Sequence, residues 1–213
     1  MKVSKAQAAE NRAGIVDAAA RLYREHGLAG VGVADITRDV GLTHGGLYRH
    51  FESKDALARE ACLRAFDWTI TPLEALDTPR ADAGPEQLLQ SLVDSYLSTT
   101  HRDHPGNGCP AAALAVDAAR AGPEMSAVFA QGVEQNIQRF ARALMSASAR
   151  DQRPATPEER ARTITMLSSM VGALVLARAT AAGNPALSEE ILTTLRTQLV
   201  HPGAAATQDS AQD

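Results

Sequence analysis

The side chains best suited to bind a ligand cluster in one short stretch, residues 41–51. This stretch reads Gly-Leu-Thr-His-Gly-Gly-Leu-Tyr-Arg-His-Phe. A glycine that permits a tight turn precedes Thr43, whose hydroxyl can cap a helix. The helix that follows would carry histidine, tyrosine and arginine on its polar side, and these side chains can donate to phosphates and to base edges. The pattern predicts a helix that recognises DNA. The alternative is an ordinary corner of a helical bundle.

Short helices must position this stretch. The segment 33–40 places its apolar residues on one face before Gly41 interrupts it, and a third helix then runs from Thr43 to about residue 50. Two helices of about two turns, joined by a glycine-containing turn, form a helix-turn-helix. Because such short helices are marginal in isolation, we expect Leu47 and Phe51 to pack on the first helix.

Composition and charge are consistent with a helical protein in which one part meets phosphate. Only 4% of the 213 residues are aromatic and alanine is abundant, which favours an all-α fold. Residues 1–60 hold nine Lys/Arg against eight Asp/Glu, whereas residues 61–213 hold twelve against seventeen. A near-neutral head on an acidic body suits a protein whose head alone contacts nucleic acid.

The cysteines and the apolar runs indicate a cytoplasmic protein. Cys62 and Cys109 stand in a chain whose first ten residues are polar rather than apolar, so no secretory signal is expected. The longest apolar run, residues 166–177, is shorter than the roughly 20 residues of a membrane helix. We therefore expect a buried helix there and no membrane association.

Capping patterns divide the rest of the chain into helices. Ser53 is placed to cap a fourth helix, and Thr156 with Glu159 forms a capping box at the start of an eighth helix. Leu187 and Ser188 are expected to open the ninth helix as staple and cap. The predicted organisation is a DNA-binding domain at 1–52, a ligand-binding and dimerisation domain at 53–200, and a disordered tail at 201–213.

These residues together resemble the TetR family of transcriptional regulators. The resemblance covers Arg12 to about Leu63. It includes an apolar helix ending in His26-Gly27, the sequence Val-Ala-Asp-Ile at 33–36, and Tyr-Arg-His-Phe-Glu-Ser-Lys-Asp-Ala-Leu at 48–57. It implies a three-helix head, a C-terminal helical bundle and nine or ten helices in all. It further implies an Ω-shaped homodimer, joined through helices eight and nine, that binds a near-palindromic operator.

The resemblance also implies roles for individual residues. The implied DNA contacts are Tyr48, His50 and Lys54 at phosphates, Thr43 as helix cap near the backbone, His44 and Arg49 at base edges, and Gly45 and Gly46 at the close approach of the helix. Gly46 occupies a position that commonly holds a small hydroxyl residue or alanine in the family. We therefore expect readout to depend on few base contacts, on backbone proximity and on DNA shape.

Such regulators usually release DNA when a ligand occupies the body. The apolar residues that could line a ligand pocket are Phe66, Trp68, Tyr96, Leu114, Phe129, Phe140 and Met170. Each of them equally suits a hydrophobic core, and the sequence does not identify the inducer.

Cys109 is a further candidate for the trigger. It lies in Asn-Gly-Cys-Pro at 107–110, where a helix is expected to start and its dipole can lower a thiol pKa. Gly-Cys at this position resembles a subset of TetR regulators that respond to electrophiles or oxidants through cysteine. The alternative is a small, inert, buried residue.

Three other functions use the same residues. Zinc could be held by His101, His104 and Cys109, although no second cysteine is near. A helical enzyme could use Cys109 as nucleophile with either histidine as base, but no acidic orienter stands at a suitable spacing. A helical scaffold without DNA binding is the third alternative. The prediction remains a ligand- or thiol-responsive dimeric repressor, not an enzyme, without cofactor or metal.

Overall fold

The computed structural model describes residues 5–68, 85–145 and 153–201. Every regular element in these ranges is helical, which confirms the predicted all-α class. The elements are α1 (Lys5–Gly30), α2 (Val33–Asp39), α3 (His44–Leu47), α4 (Lys54–Ala65), α5 (Pro85–Tyr96), α6 (Thr99–Asp103), a 3-10 turn (Pro105–Asn107), α7 (Pro110–Arg120), α8 (Pro123–Leu144), α9 (Pro157–Thr180) and α10 (Pro185–Val200). The helices predicted as eighth and ninth are α9 and α10.

The chain forms two compact bodies. The first comprises the described residues up to Trp68 together with His104–Glu134, and the second comprises those of Thr69–Asp103 and Gln135–Asp213. The predicted division at residue 52 and the predicted tail remain predictions, since residues 202–213 lie outside the described ranges.

α1 is the scaffold of the first body. Its inward face carries Ile15, Ala19 and Tyr23 at four-residue spacing, and each is buried. Gly27 kinks the helix with a φ of 77°, a region that glycine enters at little cost. The predicted end near His26 is therefore a kink, after which one further turn runs to Gly30.

α4 packs on α1 and starts as predicted, because the Ser53 hydroxyl accepts a hydrogen bond of 3.0 Å from the Ala56 amide. The helix ends at Ala65, although apolar residues continue in the sequence as far as Ile70. Phe66 and Trp68 follow it and are buried, whereas Ile70 lies outside the described residues.

The start of α9 confirms the capping box. The Thr156 hydroxyl accepts from the Glu159 amide at 3.2 Å, and the Glu159 carboxylate accepts from the Thr156 amide at 2.7 Å. The Arg153 guanidinium and this backbone hydrogen bond together lower the pKa of Glu159 to about 2.

The predicted cap of α10 is wrong. Asn184 caps the helix by accepting from the Leu187 amide at 3.1 Å, and Pro185 occupies the first helical position. Ser188 is instead fully buried, and its hydroxyl donates to the Ala177 carbonyl of α9 at 2.7 Å. This bond joins the two helices, since α9 and α10 pack along each other.

The polar stretch before Cys109 is more ordered than a loop. It contains α6 and the 3-10 turn, and His101 of α6 is buried. Arg178 of α9 donates to the carbonyls of His101 at 2.7 Å and of Arg102 at 3.0 Å, which satisfies the last turn of α6.

Candidate nucleic-acid interface

The turn between α2 and α3 sets the direction of α3. Gly41 adopts a φ of 68°, and the Leu42 amide donates to the Thr37 carbonyl at 2.8 Å. Ile36 of α2 and Leu47 of α3 are both fully buried. The two helices therefore share a packed inner side, and the polar residues of α3 face outward.

α3 is shorter than predicted. It ends at Leu47, and the next hydrogen bonds join residues three apart, from Arg49 to Gly46 at 3.4 Å and from His50 to Leu47 at 2.9 Å. Two successive glycines, each unfavourable in a helix by roughly 1 kcal/mol relative to alanine, account for this short, tight segment.

Thr43 stands at the predicted cap position but does not use its side chain as a cap. Its carbonyl accepts from the Gly46 amide at 2.8 Å instead. A Cβ added at Gly46 would lie 3.4 Å from the Thr43 hydroxyl oxygen, whereas one added at Gly45 would meet open space. The first turn of α3 therefore presents bare backbone to its surroundings.

The outer face of α3 and of the turn at residues 48–50 brings several predicted contact residues together. Tyr48 is 46% exposed, and its ring centroid lies 5.2 Å from that of His44. Arg49 is exposed beside them, and His50 is half-buried, with its ring 6.5 Å from that of Phe51. Donors and an aromatic ring thus share one accessible surface.

Phe51 anchors this surface to α1. The phenyl ring is buried, and the Arg12 guanidinium carbon stands 4.6 Å from its centroid, within the range of a cation–π contact. Arg12 also pairs with Glu60 of α4 at 2.5 Å. Arg12 therefore holds together α1, α4 and the end of the recognition segment, residues 41–51. Sequence reasoning did not find Arg12, because its partner Glu60 lies 48 residues away.

Lys54 does not project freely from the surface. Its ammonium group donates to the Leu28 carbonyl at 3.4 Å, and the side chain is half-buried. It borders a cavity of about 260 Å³ whose lining includes Leu28, Arg59 and Met125. A contact between Lys54 and phosphate would replace this long hydrogen bond.

The predicted ligand residues are divided between the two bodies. The first body holds Phe66, Trp68, Cys109, Leu114 and Phe129, and the second holds Tyr96, Phe140 and Met170. All are buried except Phe129, which is half-buried.

In the first body the aromatic residues pack on a glycine. The rings of Phe66 and Phe129 meet edge to face at 5.4 Å, and Phe66 lies so close to Gly132 of α8 that a Cβ there would overlap its ring. Trp68 borders a groove of about 490 Å³ that is lined largely by arginine and aspartate side chains. This groove is therefore charged rather than apolar.

Cys109 is the N-cap residue of α7, as the sequence predicts, and it is 0% exposed. Cys62 is also buried, and burial raises the pKa of its thiol to about 11. Within the described ranges, no group of three or more His, Cys, Asp or Glu residues could hold a metal ion.

In the second body Tyr96 is the centre of a buried aromatic cluster. Its ring meets those of His101 at 4.8 Å and Phe140 at 6.2 Å, both edge to face. The Nδ1 atom of His101 lies 2.7 Å from the Tyr96 carbonyl oxygen, so the neutral ring donates there. Burial lowers the pKa of His101 to about 4, and the nearby Arg178 charge acts in the same direction.

Two family models match the chain over most of its length. The model described as bacterial regulatory proteins, tetR family, matches residues 15–61, and that described as tetracyclin repressor-like, C-terminal domain, matches residues 85–194. The second match alone covers more than half of the 213 residues. The chain belongs to the TetR family.

Individual TetR relatives are similar over part of their length. The repressor KstR2 of Mycolicibacterium smegmatis is 31% identical over 97 residues, which are 45% of this chain and 46% of KstR2. The regulator AcrR of Shigella flexneri is 35% identical over 97 residues, 46% of this chain and 45% of AcrR. The chain thus spans less than half the length of these curated relatives.

Solved structures share the fold over nearly the whole chain. The reduced form of E. coli NemR gives a TM-score of 0.69 at 16% identity, covering 89% of this chain and 95% of that one. A TetR regulator from Chloroflexus aurantiacus gives 0.63 at 25% identity, covering 91% and 96%. The predicted TetR-like architecture is confirmed.

Proposed function

We propose that this TetR family member is a DNA-binding transcriptional repressor whose α3 face enters the major groove. The observation that carries the proposal is the outer face of α3, where His44, Tyr48 and Arg49 lie exposed above the buried anchors Leu47 and Phe51. A rigidly held helix with exposed donors is what base readout requires.

The residues divide into readers and positioning contacts. Arg49 and His44 contact base edges, because they are exposed and carry nitrogen donors. Tyr48, His50 and Lys54 contact phosphates, and Lys54 exchanges the Leu28 carbonyl for a phosphate oxygen. Thr43, Gly45 and Gly46 bring the start of α3 close to the duplex, and the missing side chain at Gly46 shifts part of the specificity to DNA shape.

The functional unit is a homodimer formed through α9 and α10. These helices expose the large apolar side chains Ile164, Val175, Leu176 and Leu187. α9 is long and apolar enough to cross a membrane by length and composition alone, with 39% of its most apolar window buried. A second copy of the chain in the cytoplasm covers this surface, and two recognition helices then fit a near-palindromic operator.

Release from the operator follows occupation of the body by a small ligand or modification of Cys109. Apolar candidates occur in each body, and Cys109 is the N-cap residue of α7. Because the side chain is fully buried, a reagent reaches it only when the surrounding segment opens. Retention of full induction by aldehydes, quinones and peroxide in Cys109→Ser would eliminate the thiol trigger and leave the ligand.

A regulator fits the structure better than a Cys/His enzyme. The candidate nucleophile Cys109 is inaccessible in this structure. Of the two candidate bases, His101 is buried with its Nδ1 atom engaged with a backbone carbonyl, and His104 is exposed. Nucleophilic catalysis needs both groups accessible to a substrate.

DNA binding can be tested by gel shift with the DNA upstream of the protein's own coding region. The wild-type protein is expected to shift this fragment, and Arg49→Ala is expected to need a higher protein concentration for the same shift while keeping its thermal stability. Arg120→Ala is a matched control, because Arg120 is exposed at the end of α7, outside both α3 and the proposed dimer interface. Equal binding by the wild type and Arg49→Ala would contradict the assignment of α3, and no binding by either would contradict DNA binding at this fragment.

A further inference from the structure

Arg24 of α1 ties together two other segments of the first body. Its Nη1 atom donates to the Ala65 carbonyl at 3.0 Å, and its Nε atom donates to the Gly106 carbonyl at 2.8 Å. The Nη2 atom donates to Gly106 as well. The guanidinium thus spans the end of α4 and the 3-10 turn before Cys109.

This arrangement requires an arginine. The side chain is half-buried, and burial is the main cause that lowers the pKa of its guanidinium. A partly buried cation is tolerated when its donors are satisfied, and the planar fork of arginine holds its donors to two separate carbonyls in a fixed geometry. Lysine would keep the charge but lose this geometry.

The carbonyl of Ala65, one of the two acceptors, lies at the end of a helix. Ala65 is the last residue of α4, where free carbonyls and the helix dipole attract a cation. The same carbonyl accepts from the Trp68 amide at 3.2 Å. Trp68 is the only tryptophan of the chain, so its fluorescence reports on the surroundings of the Ala65 carbonyl.

The turn fits closely against α1. A Cβ at Gly106 would overlap the carboxylate of Glu25, the residue next to Arg24. Cys109 follows three residues later, and its electrostatic interaction with Arg24 raises the pKa of the guanidinium in opposition to burial. A change in this turn therefore acts directly on the Arg24 side chain.

We infer that Arg24 is a positioning residue that couples the turn Pro105–Asn107 to the end of α4 and thereby to the DNA-binding surface. The inference rests on the proposed function. When the turn moves, the guanidinium follows the Gly106 carbonyl and loosens its hold on Ala65. α4 also carries Glu60, the partner of Arg12 beneath Phe51, so this loosening reaches the recognition segment.

A double-mutant cycle on operator affinity tests this coupling in the full-length protein. Arg24→Met removes the connection, and Gly106→Ala perturbs the fit between the turn and α1, because the added methyl group overlaps the Glu25 side chain. Each variant is expected to weaken operator binding about tenfold, and the double variant also about tenfold, because the turn acts through Arg24. Both single variants are expected to shift the Trp68 emission, and Arg24→Lys is expected to bind with intermediate affinity.

Gly122→Ala provides the matched control. Gly122 has a φ of 91°, so alanine is strained there as well, but nothing lies within 4 Å of the added Cβ. Its effect on affinity is expected to multiply with that of Arg24→Met. If Gly106→Ala does not fold, Pro105→Gly loosens the same turn and takes its place in the cycle.

The outcomes separate the coupling from the proposed function. A weakening of about a hundredfold in the Arg24→Met/Gly106→Ala variant would show independent effects and overturn the coupling. If Arg24→Met lowers thermal stability without lowering operator affinity, Arg24 has only a structural role, and the coupling is overturned too. A wild-type protein that binds no DNA would reject the proposed function, and the coupling with it.

Discussion

Arg49 offers the most direct test of readout at the scale of single residues. It is exposed beside Tyr48 and His44 on the outer face of α3. Arg49→Ala is expected to cost about 1–3 kcal/mol of discrimination at one base pair, since a lost bidentate base contact relaxes specificity. Binding isotherms on an operator and its single-base variants measure this loss.

Tyr48→Phe is the matched comparison for Arg49→Ala. A phosphate contact carries no base information, so this variant is expected to weaken binding equally on every operator variant. Uniform weakening by Arg49→Ala would show that the arginine grips phosphate rather than a base.

His101 makes the stability of the protein depend on pH. Its pKa is about 4 in the folded protein, against an ordinary value of 6.5, because burial disfavours the charged ring. The unfolded chain therefore binds a proton between these values that the folded chain does not. The free energy of unfolding is expected to be unaffected by His101 above pH 6.5 and to fall below it, by up to about 1.4 kcal/mol per pH unit.

Urea denaturation of the wild type and His101→Gln between pH 4 and pH 7.5 measures this contribution. The difference between the two free energies is expected to change with pH only below about 6.5. Parallel curves throughout would contradict the assignment.

Sequence patterns could reveal some of these residues and not others. Leu47 and Phe51 follow the period of a short helix, so their burial was predictable. Arg12 pairs with Glu60, 48 residues away, and Arg24 donates to the Gly106 carbonyl, 82 residues away, and no local pattern records such contacts.

At the scale of elements, the packing of α8 depends on the absence of a side chain at Gly132. Gly132→Ala is expected to destabilise the protein by about 1–3 kcal/mol, because the added methyl group overlaps the Phe66 ring and forces it to move. Thermal and urea unfolding measure the change.

Gly14→Ala is the control on α1, where nothing lies within 4 Å of the added Cβ. There the same substitution is expected to stabilise the helix by roughly 0.5–1 kcal/mol. A Gly132→Ala protein as stable as the wild type would show that Phe66 has room to retreat.

Helix boundaries were predicted correctly at two local capping patterns and wrongly at Ser188, whose hydroxyl makes a tertiary contact. The capping box at Thr156 and the cap at Ser53 are local patterns, and both are confirmed. Ser188 resembled a cap in the sequence, but its hydroxyl bonds to Ala177 on another helix, so Asn184 caps α10 instead. The bond between Ser188 and Ala177 is a tertiary contact, which the sequence pattern could not reveal.

At the scale of the whole molecule, the proposed dimer would cover the exposed apolar residues of α9 and α10. Leu176 is 57% exposed on α9. Leu176→Arg is expected to give a monomer with greatly weakened operator binding, because burying an unpaired charge in an apolar interface costs several kcal/mol. Sedimentation at micromolar concentration measures the change.

Val116→Arg is the matched control, since Val116 is 58% exposed on α7, outside the proposed interface. It is expected to remain dimeric. A dimeric Leu176→Arg protein would place the interface elsewhere.

The fold could be predicted from the sequence more completely than the ligand-binding site. Helical periodicity and the family motif indicate an all-α regulator, whereas the ligand candidates are divided between the two bodies and are buried except for the half-buried Phe129. A core and a pocket share the same apolar composition, so periodicity cannot separate them.

Selection of binding sites from random double-stranded DNA tests the central claim most directly. We predict enrichment of an inverted repeat whose half-sites are centred about one helical turn apart, or a multiple of it, with loss of enrichment in Arg49→Ala. No enriched sequence with the folded wild-type protein, or an enriched sequence unchanged in Arg49→Ala, would contradict a dimer that reads DNA through α3.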